Sequence, residues 1–419
     1  MTEHLPTLLQ PELEPPQYTL PTTFRIGQHI TRHLICPDQL KAHLQLLAAF
    51  SHLKQRVVAS ESLTAGLELD SEKRWVWFVN LAVERRFEKW CLIIKQTDIM
   101  EQRLPPIDVI MVWHTYLLNP RQVSNLTFFG PIRSWYAEDT TRISKLKPLA
   151  HFTDHFPHLL ANPDLLTTDS PQHERVSAWE RSTQLPYDPF ASAAALMHKS
   201  IECPYCRCTI LSPFLQLDGK GYAQSNFSIT CRCSRRITKE HLGLYKLVKN
   251  IVEQEAPDKY LAGTLHTTQK IHNTARGDTI KERIFRSDFT FRRKATDHIG
   301  HILRHFQYDV ALMHTVLNKH LNTRLYVLFL DRLNKIMGAY TDDRVFSLDL
   351  VGAVLRQASF VKRMVDLEWT EPGYFANEVD AVALQHCVAR YHAYVHASFF
   401  LRTAQEHCPV AVGLRNKVP

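Results

Sequence analysis

Five of the chain's nine cysteines fall within thirty-one positions: Cys203, Cys206, Cys208, Cys231 and Cys233. Cys203-Pro-Tyr-Cys206 has the CxxC spacing by which two thiolates of one tight turn grip a tetrahedral ion, and Cys231-Arg-Cys233 offers a second pair. Four sulfurs leave no open coordination position, so the pattern predicts a structural zinc on Cys203, Cys206, Cys231 and Cys233. CxC is less usual than CxxC, which leaves Cys208 or His241 as alternates for a member of the second pair. A dithiol redox role is the rival chemistry. It needs CxxC at a helix N-terminus inside a βαβ pattern, whereas β-branched Thr209 and Ile210 and then Pro213 follow Cys206. Thr209-Ile-Leu, Phe214-Leu-Gln-Leu and Phe227-Ser-Ile-Thr are β-favouring runs broken by Pro213 and Asp218-Gly-Lys-Gly, so a small zinc-ribbon-like sheet is expected over 200–245.

A second candidate is Pro106-Ile-Asp-Val-Ile-Met-Val-Trp-His-Thr-Tyr-Leu-Leu-Asn-Pro120. On a helix its apolar residues cover nearly the whole circumference, which predicts deep burial. His114 then lies among hydrophobes, either as a neutral core imidazole satisfied by hydrogen bonds or as the base of a metal-dependent enzyme. The third candidate is Arg276 to Lys294, with seven basic against three acidic residues. Arg283, Arg286, Arg292, Arg293 and Lys294 interleave there with Phe285, Phe289 and Phe291, the mixture that phosphate contacts and base stacking on RNA would use. The competing reading is a solvated basic loop. No RNP-type string accompanies it.

Composition narrows the rest. The 419 residues carry 50 Lys and Arg against 42 Asp and Glu, a net charge of +8, and 45% are hydrophobic, an ordinary globular balance. Thirteen glycines, against an average usage of roughly 7%, leave little material for phosphate cradles. No GxGxxG, GxxxxGK[ST], GxSxG or HExxH string occurs, so no nucleotide cofactor is expected. None of the 23 histidines is followed two places on by Asp or Glu, which removes the usual opening of an iron facial triad. The acidic, Pro-rich start lacks the regions of a signal peptide, and no apolar run approaches the roughly 20 residues of a membrane span. A cytoplasmic or nuclear protein without membrane attachment is the expectation.

The elements that must position these residues are mostly helices. Helical periodicity is expected over 21–58, through Trp75 to Ile94, over 107–118, at 241–252, and at 297–318, 323–338, 347–367 and 379–403. In the last of these, Tyr391 and Tyr394 are expected to face inward with Val382, Leu384, Val388 and Val395. Val83, Arg86, Phe87 and Trp90 echo Val388, Arg390, Tyr391 and Tyr394 about 304 positions later. The fold class expected is therefore mainly α, with two similar helical units around the small β-rich module. Its divisions are a disordered 1–20, a first helical unit at 21–140, a connection at 141–199, the module at 200–245, a basic linker at 246–296 and a second unit at 297–419.

These strings carry a resemblance. PPIDVIMVWHTYLLNPR, the helix ending Arg86-Phe-Glu-Lys-Trp90, Leu185-Pro-Tyr-Asp188, the CPYC pair and Phe346 to Gln357 together resemble the glycine-rich domain-containing protein-like family in its fungal form, over roughly 21–419. The resemblance marks Asp108, Trp113, His114, Asn119 and Pro120 as family motif residues and implies no agreed reaction; RNA binding has been proposed for plant members. Members often carry His-Thr-His after the tryptophan, where this chain has Tyr116, and continue beyond a Val-Pro like Val418-Pro419, so a missing C-terminal part is implied. The function expected is a non-enzymatic binding or scaffold protein with a protein partner. RNA binding and His114-based metal chemistry are the alternatives.

Overall fold

The computed structural model describes residues 18–64, 69–94, 100–118, 173–195, 197–252, 260–262, 264, 273–287, 297–322, 330–344 and 349–407. The chain is mostly helical, with small antiparallel two-stranded sheets, two of them beside the cysteine cluster. It forms two compact units, one from residues before Ala49 and after Val361 and one from the intervening chain.

In the smaller unit a hairpin, β1 (Phe24–Ile26) and β2 (His29–Thr31), replaces the helix expected from residue 21. Gly27, in the left-handed region, makes its turn. The helix starts only at Pro37, as α1 (Pro37–Ala59), where the Cys36 N–H donates to the Gln39 side chain. The unit's last helix, Glu378–His407, buries Leu384, Val388 and Val395, yet Tyr391 and Tyr394 are exposed, contrary to the inward placement expected of them. His392 organises the hairpin: Phe24 stacks on its ring at 3.9 Å, and its Nε2 accepts the Leu34 N–H at 2.8 Å.

In the larger unit, Asp70 caps α2 (Ser71–Leu81), which continues through a π segment (Ala82–Phe87) into α3 (Glu88–Ile93). The wider π turn lets Glu84 and Arg86, which an α-helix would point to opposite sides, both be buried beside Val83, Phe87 and Trp90. α4 (Met100–Arg103) leads to α5 (Ile107–Leu117), in which Ile107 to Tyr116 are all buried, as the all-round apolar pattern demands. α6 (His173–Thr183) and α7 (Pro189–Ala195) follow.

Residues 246–296, expected as a linker, instead contribute helices to a core. Leu247, Val248 and Ile251 of α8 (Lys239–Val252) pack with Ile280 and Ile284 of α9 (Thr274–Ser287), with Leu303 of α10 (His298–His305) and with Phe306, which caps α10. α11 (Val310–Asn322) and α12 (Leu330–Gly338) complete this cluster. Ile280 and Ile284, four apart, give α9 an apolar stripe inside an otherwise charged sequence, and that stripe docks it. Gly243 permits the closest approach, since a Cβ there would lie 2.0 Å from the Tyr340 carbonyl oxygen. The continuous helix expected at 297–318 is broken between His305 and Val310; the one expected at 323–338 is helical over its described part, Leu330–Gly338, and 323–329 lie outside the described residues.

Asp108, in the Pro-Pro-Ile-Asp string ahead of the Trp-His pair, has a structural role. Arg86 donates through Nε at 2.5 Å and through its terminal nitrogen at 3.3 Å to the two carboxylate oxygens of Asp108, with both side chains sealed from water. The same guanidinium donates to the carbonyls of Pro186 and Tyr187, each at 2.8 Å, and lies over the Trp179 ring. That is why Leu185-Pro-Tyr-Asp188 accompanies the Trp-His helix. Removing one partner of such a pair strands a buried charge, so Asp108→Ala is expected to lower unfolding free energy by about 3–5 kcal/mol in urea titration. Arg86→Lys is expected to lose most of that stability too, because an ammonium cannot reach a bidentate carboxylate and two carbonyls at once.

Candidate metal centre

Two reverse turns bring the cysteines together. β3 (His198–Glu202) pairs antiparallel with β4 (Thr209–Pro213), Glu202 opposite Thr209, so residues 203–208 form the loop at the hairpin's end. There the Arg207 N–H donates to the Cys203 carbonyl at 2.8 Å and the Cys203 N–H to the Cys208 carbonyl at 2.9 Å. The second turn, 231–235, joins β5 (Ile229–Thr230) to β6 (Arg236–Ile237) in the same manner, with the Ser234 N–H on the Cys231 carbonyl and the Cys231 N–H on the Arg235 carbonyl. Each turn closes on a left-handed residue, Arg207 at φ 63° and Ser234 at φ 62°. Burial pushes the Cys203 thiol up, and the backbone N–H groups of Cys206 and Tyr205 offset only part of that; at Cys231 burial likewise pushes up, but the Cys233 N–H and the neighbouring thiols outweigh it and hold the thiol below its ordinary value. Of the runs expected as strands, 227–230 supplies β5 at its end, whereas 214–217 is not a strand, because Phe214 joins Tyr222 and Phe227 in the module's aromatic core.

The sulfurs of Cys203, Cys206, Cys231 and Cys233 all lie within 4.8 Å of one another. The Cys203–Cys233 and Cys206–Cys231 separations are 3.9 and 3.5 Å, against the roughly 3.8 Å edge of a tetrathiolate with 2.3 Å metal–sulfur bonds. The four can therefore hold a metal ion, and no other such group of three or more ligands occurs among the described residues. Of the alternates, Cys208 touches two of the four, at 3.4 Å from Cys206 and 3.2 Å from Cys231. His241 is committed elsewhere: its Nδ1 accepts the Thr238 N–H at 3.1 Å, closing a capping box at the start of α8 in place of the usual glutamate.

A buried polar network anchors the module. Lys199, on β3, pairs with Glu84 of the π segment and donates to the Tyr222 hydroxyl at 2.9 Å, and Tyr222 donates to Asp343. Arg344 donates to the other Glu84 oxygen at 2.9 Å and to Asn80 at 3.0 Å. Arg207 also pairs with Asp297, the N-cap of α10. The sequence reading missed Glu84, Lys199 and Tyr222; the available signal was a glutamate inside the aromatic-rich run from Trp75 to Ile94.

The other candidates are placed differently. His114 is only 3% exposed, with its ring 5.5 Å from Phe50. It borders neither the 10 Å³ cavity between Trp90, Arg175 and Trp179 nor an open cleft of about 750 Å³ lined by Glu240, His241, Gln307, Tyr308, Asp309 and His314. Asp108 and Trp113 are buried structural residues, whereas Asn119 and Pro120 lie outside the described residues. Arg283 and Arg286 fall on α9, and Arg292, Arg293 and Lys294 are also outside the described residues. No helix among the described residues is long and apolar enough to cross a membrane. No family model, curated protein or solved structure matches the chain.

Burial holds the pKa of His241 below the usual histidine range. Its neutral form closes the cap, so the stability it contributes is present above roughly pH 6.5 and is lost as pH falls through the lowered folded value. His241→Gln, which can accept the same N–H, is expected to keep the stability at pH 7 and flatten the decline between pH 6.5 and 5 in thermal melts. Metal affinity should also weaken on acidification, since burial raises the Cys203 pKa and binding must displace its proton.

Proposed function

We propose that this is a zinc-braced binding protein in which the metal holds a docking surface and does no chemistry. The observation that carries this reading is the convergence of four thiols on one point, a donor set that suits zinc and leaves no position for substrate. Charge supports it as well: four thiolates around Zn²⁺ leave a net −2, and exposed Arg232, Arg235 and Arg236 surround the second turn. Beside the module, Gln307 and Tyr308 hold left-handed backbone angles of 51° and 57° at the wall of the open cleft, and Tyr308 packs on Tyr205 of the CPYC turn at 4.2 Å. Conformations of that kind cost of order 1–3 kcal/mol and cluster at ligand clamps, which favours the cleft as the place where a protein segment docks.

RNA binding is the second reading, favoured by the same exposed arginines. Membership of the glycine-rich domain-containing protein-like family belongs to the proposal too, resting on the strings that resemble it.

The test is metal analysis of the purified full chain together with denaturation. One zinc per chain is expected, and Cys203→Ser or chelation should abolish it and destabilise the module cooperatively, since structural zinc supplies of order 10 kcal/mol in small domains. Zinc well below one equivalent and indifferent to Cys203→Ser overturns the reading. So does turnover on any substrate that His114→Ala abolishes in a folded protein.

A further inference from the structure

A tetrathiolate needs four cysteines, and a fifth stands against it. The Cys208 sulfur lies 3.4 Å from Cys206 and 3.2 Å from Cys231, while Cys206 and Cys231 are 3.5 Å apart. In the metal-holding set Cys206 is exposed, Cys233 is half-exposed and Cys203 and Cys231 are buried; Cys208 is half-exposed. Resting on the reading of the four thiols as a zinc site, we infer that Cys208 is the resolving thiol of a peroxide-sensitive centre, a modification site in which oxidation at Cys206 is captured as a Cys206–Cys208 disulfide and the metal is released.

The chemistry balances with hydrogen peroxide as oxidant. The Cys206 thiolate attacks one peroxide oxygen; the O–O bond breaks, an S–O bond forms, and hydroxide leaves. Cys206 is now a sulfenic acid and no longer a thiolate ligand. The Cys208 sulfur attacks the Cys206 sulfur, its S–H proton departs with the sulfenic hydroxyl as water, and an S–S bond forms. Two electrons pass from the sulfurs to one peroxide. Zinc, left with three thiolates, is lost to solvent as those sulfurs take up protons, and a thiol reductant reverses the sequence. The resolving group need travel little, since a sulfur at 3.4 Å has only to close to the roughly 2.05 Å of a bond. Arg207, between the two cysteines, already turns the chain in the left-handed conformation that faces them towards each other.

The experiment treats purified full-length protein of measured zinc content with hydrogen peroxide, follows release with a chromogenic chelator, and maps thiols by differential alkylation and peptide mass spectrometry. In the wild type a Cys206–Cys208 disulfide is expected, with zinc rebinding nearly complete after reduction. In Cys208→Ser, whose zinc content before peroxide serves as the folding control, Cys206 should proceed to sulfinic acid, and recovery after reduction should fall to less than about a tenth. A wild-type map in which Cys208 stays reduced, or joins Cys231, overturns the inference without recourse to the variant. Equal, reversible release from Cys208→Ser overturns it as well. Protein that carries no zinc at the outset contradicts the zinc reading alone, and the disulfide map then judges the Cys206–Cys208 pairing in the same way.

Discussion

Glu84 is sealed from water, and a carboxylate in that position would cost several kcal/mol if its charge were unmet. It is met twice, by Lys199 from the strand that leads into the first cysteine turn and by Arg344 from the segment after α12. Burial alone would pull the Lys199 pKa down, but Glu84 and Asp343 hold it above the usual lysine range. A raised lysine contributes stability that is complete below about pH 10.4 and lost only as pH climbs through the folded value, so the anchor is constant across physiological pH. The cysteine module stands where it does because this carboxylate must be neutralised. The π segment exists at the same place because Glu84 and Arg86 must both be buried.

Once anchored, the module needs little else from the chain. Two reverse turns, each closed by a left-handed residue, aim backbone N–H groups at sulfur and bring four thiols to one point. Gly221 is required behind the first hairpin, since a Cβ would meet the Phe214 carbonyl oxygen at 2.5 Å. The four thiols can hold a metal ion, and exposed Arg232, Arg235 and Arg236 lie around the second turn. The Trp-His helix, chemically suggestive in isolation, is a packing element whose acidic residue serves the Arg86 clamp.

Much of this was legible in the residues. The CxxC and CxC spacings named the four thiols, and three- and four-residue apolar steps located most of the helices, because both signals are local. What escaped was non-local. The hairpin at 24–31 is held by contacts with His392 and His396, more than 360 residues away, and no periodicity reports that. Helix α9 lies in a stretch whose charge suggested a linker, and two isoleucines decide its burial against that charge. That Glu84 and Arg86 are both buried is not readable from the residues, since nothing in a 3.6-residue pattern announces a π turn. Tyr391 and Tyr394 failed as core residues for the converse reason: a tyrosine's ring suits either side of a surface, and the helix that carries them turns them outward.

A brace of this kind requires that the metal be bound by sulfur alone, as the four converging thiols allow. X-ray absorption at the zinc edge of the purified full chain measures that directly. The prediction is a first shell of four sulfurs at roughly 2.3 Å with no nitrogen or oxygen scatterer. A shell containing histidine nitrogen would contradict the four-sulfur assignment, and one containing water oxygen would contradict the brace itself, because an open position is the geometry of a catalyst.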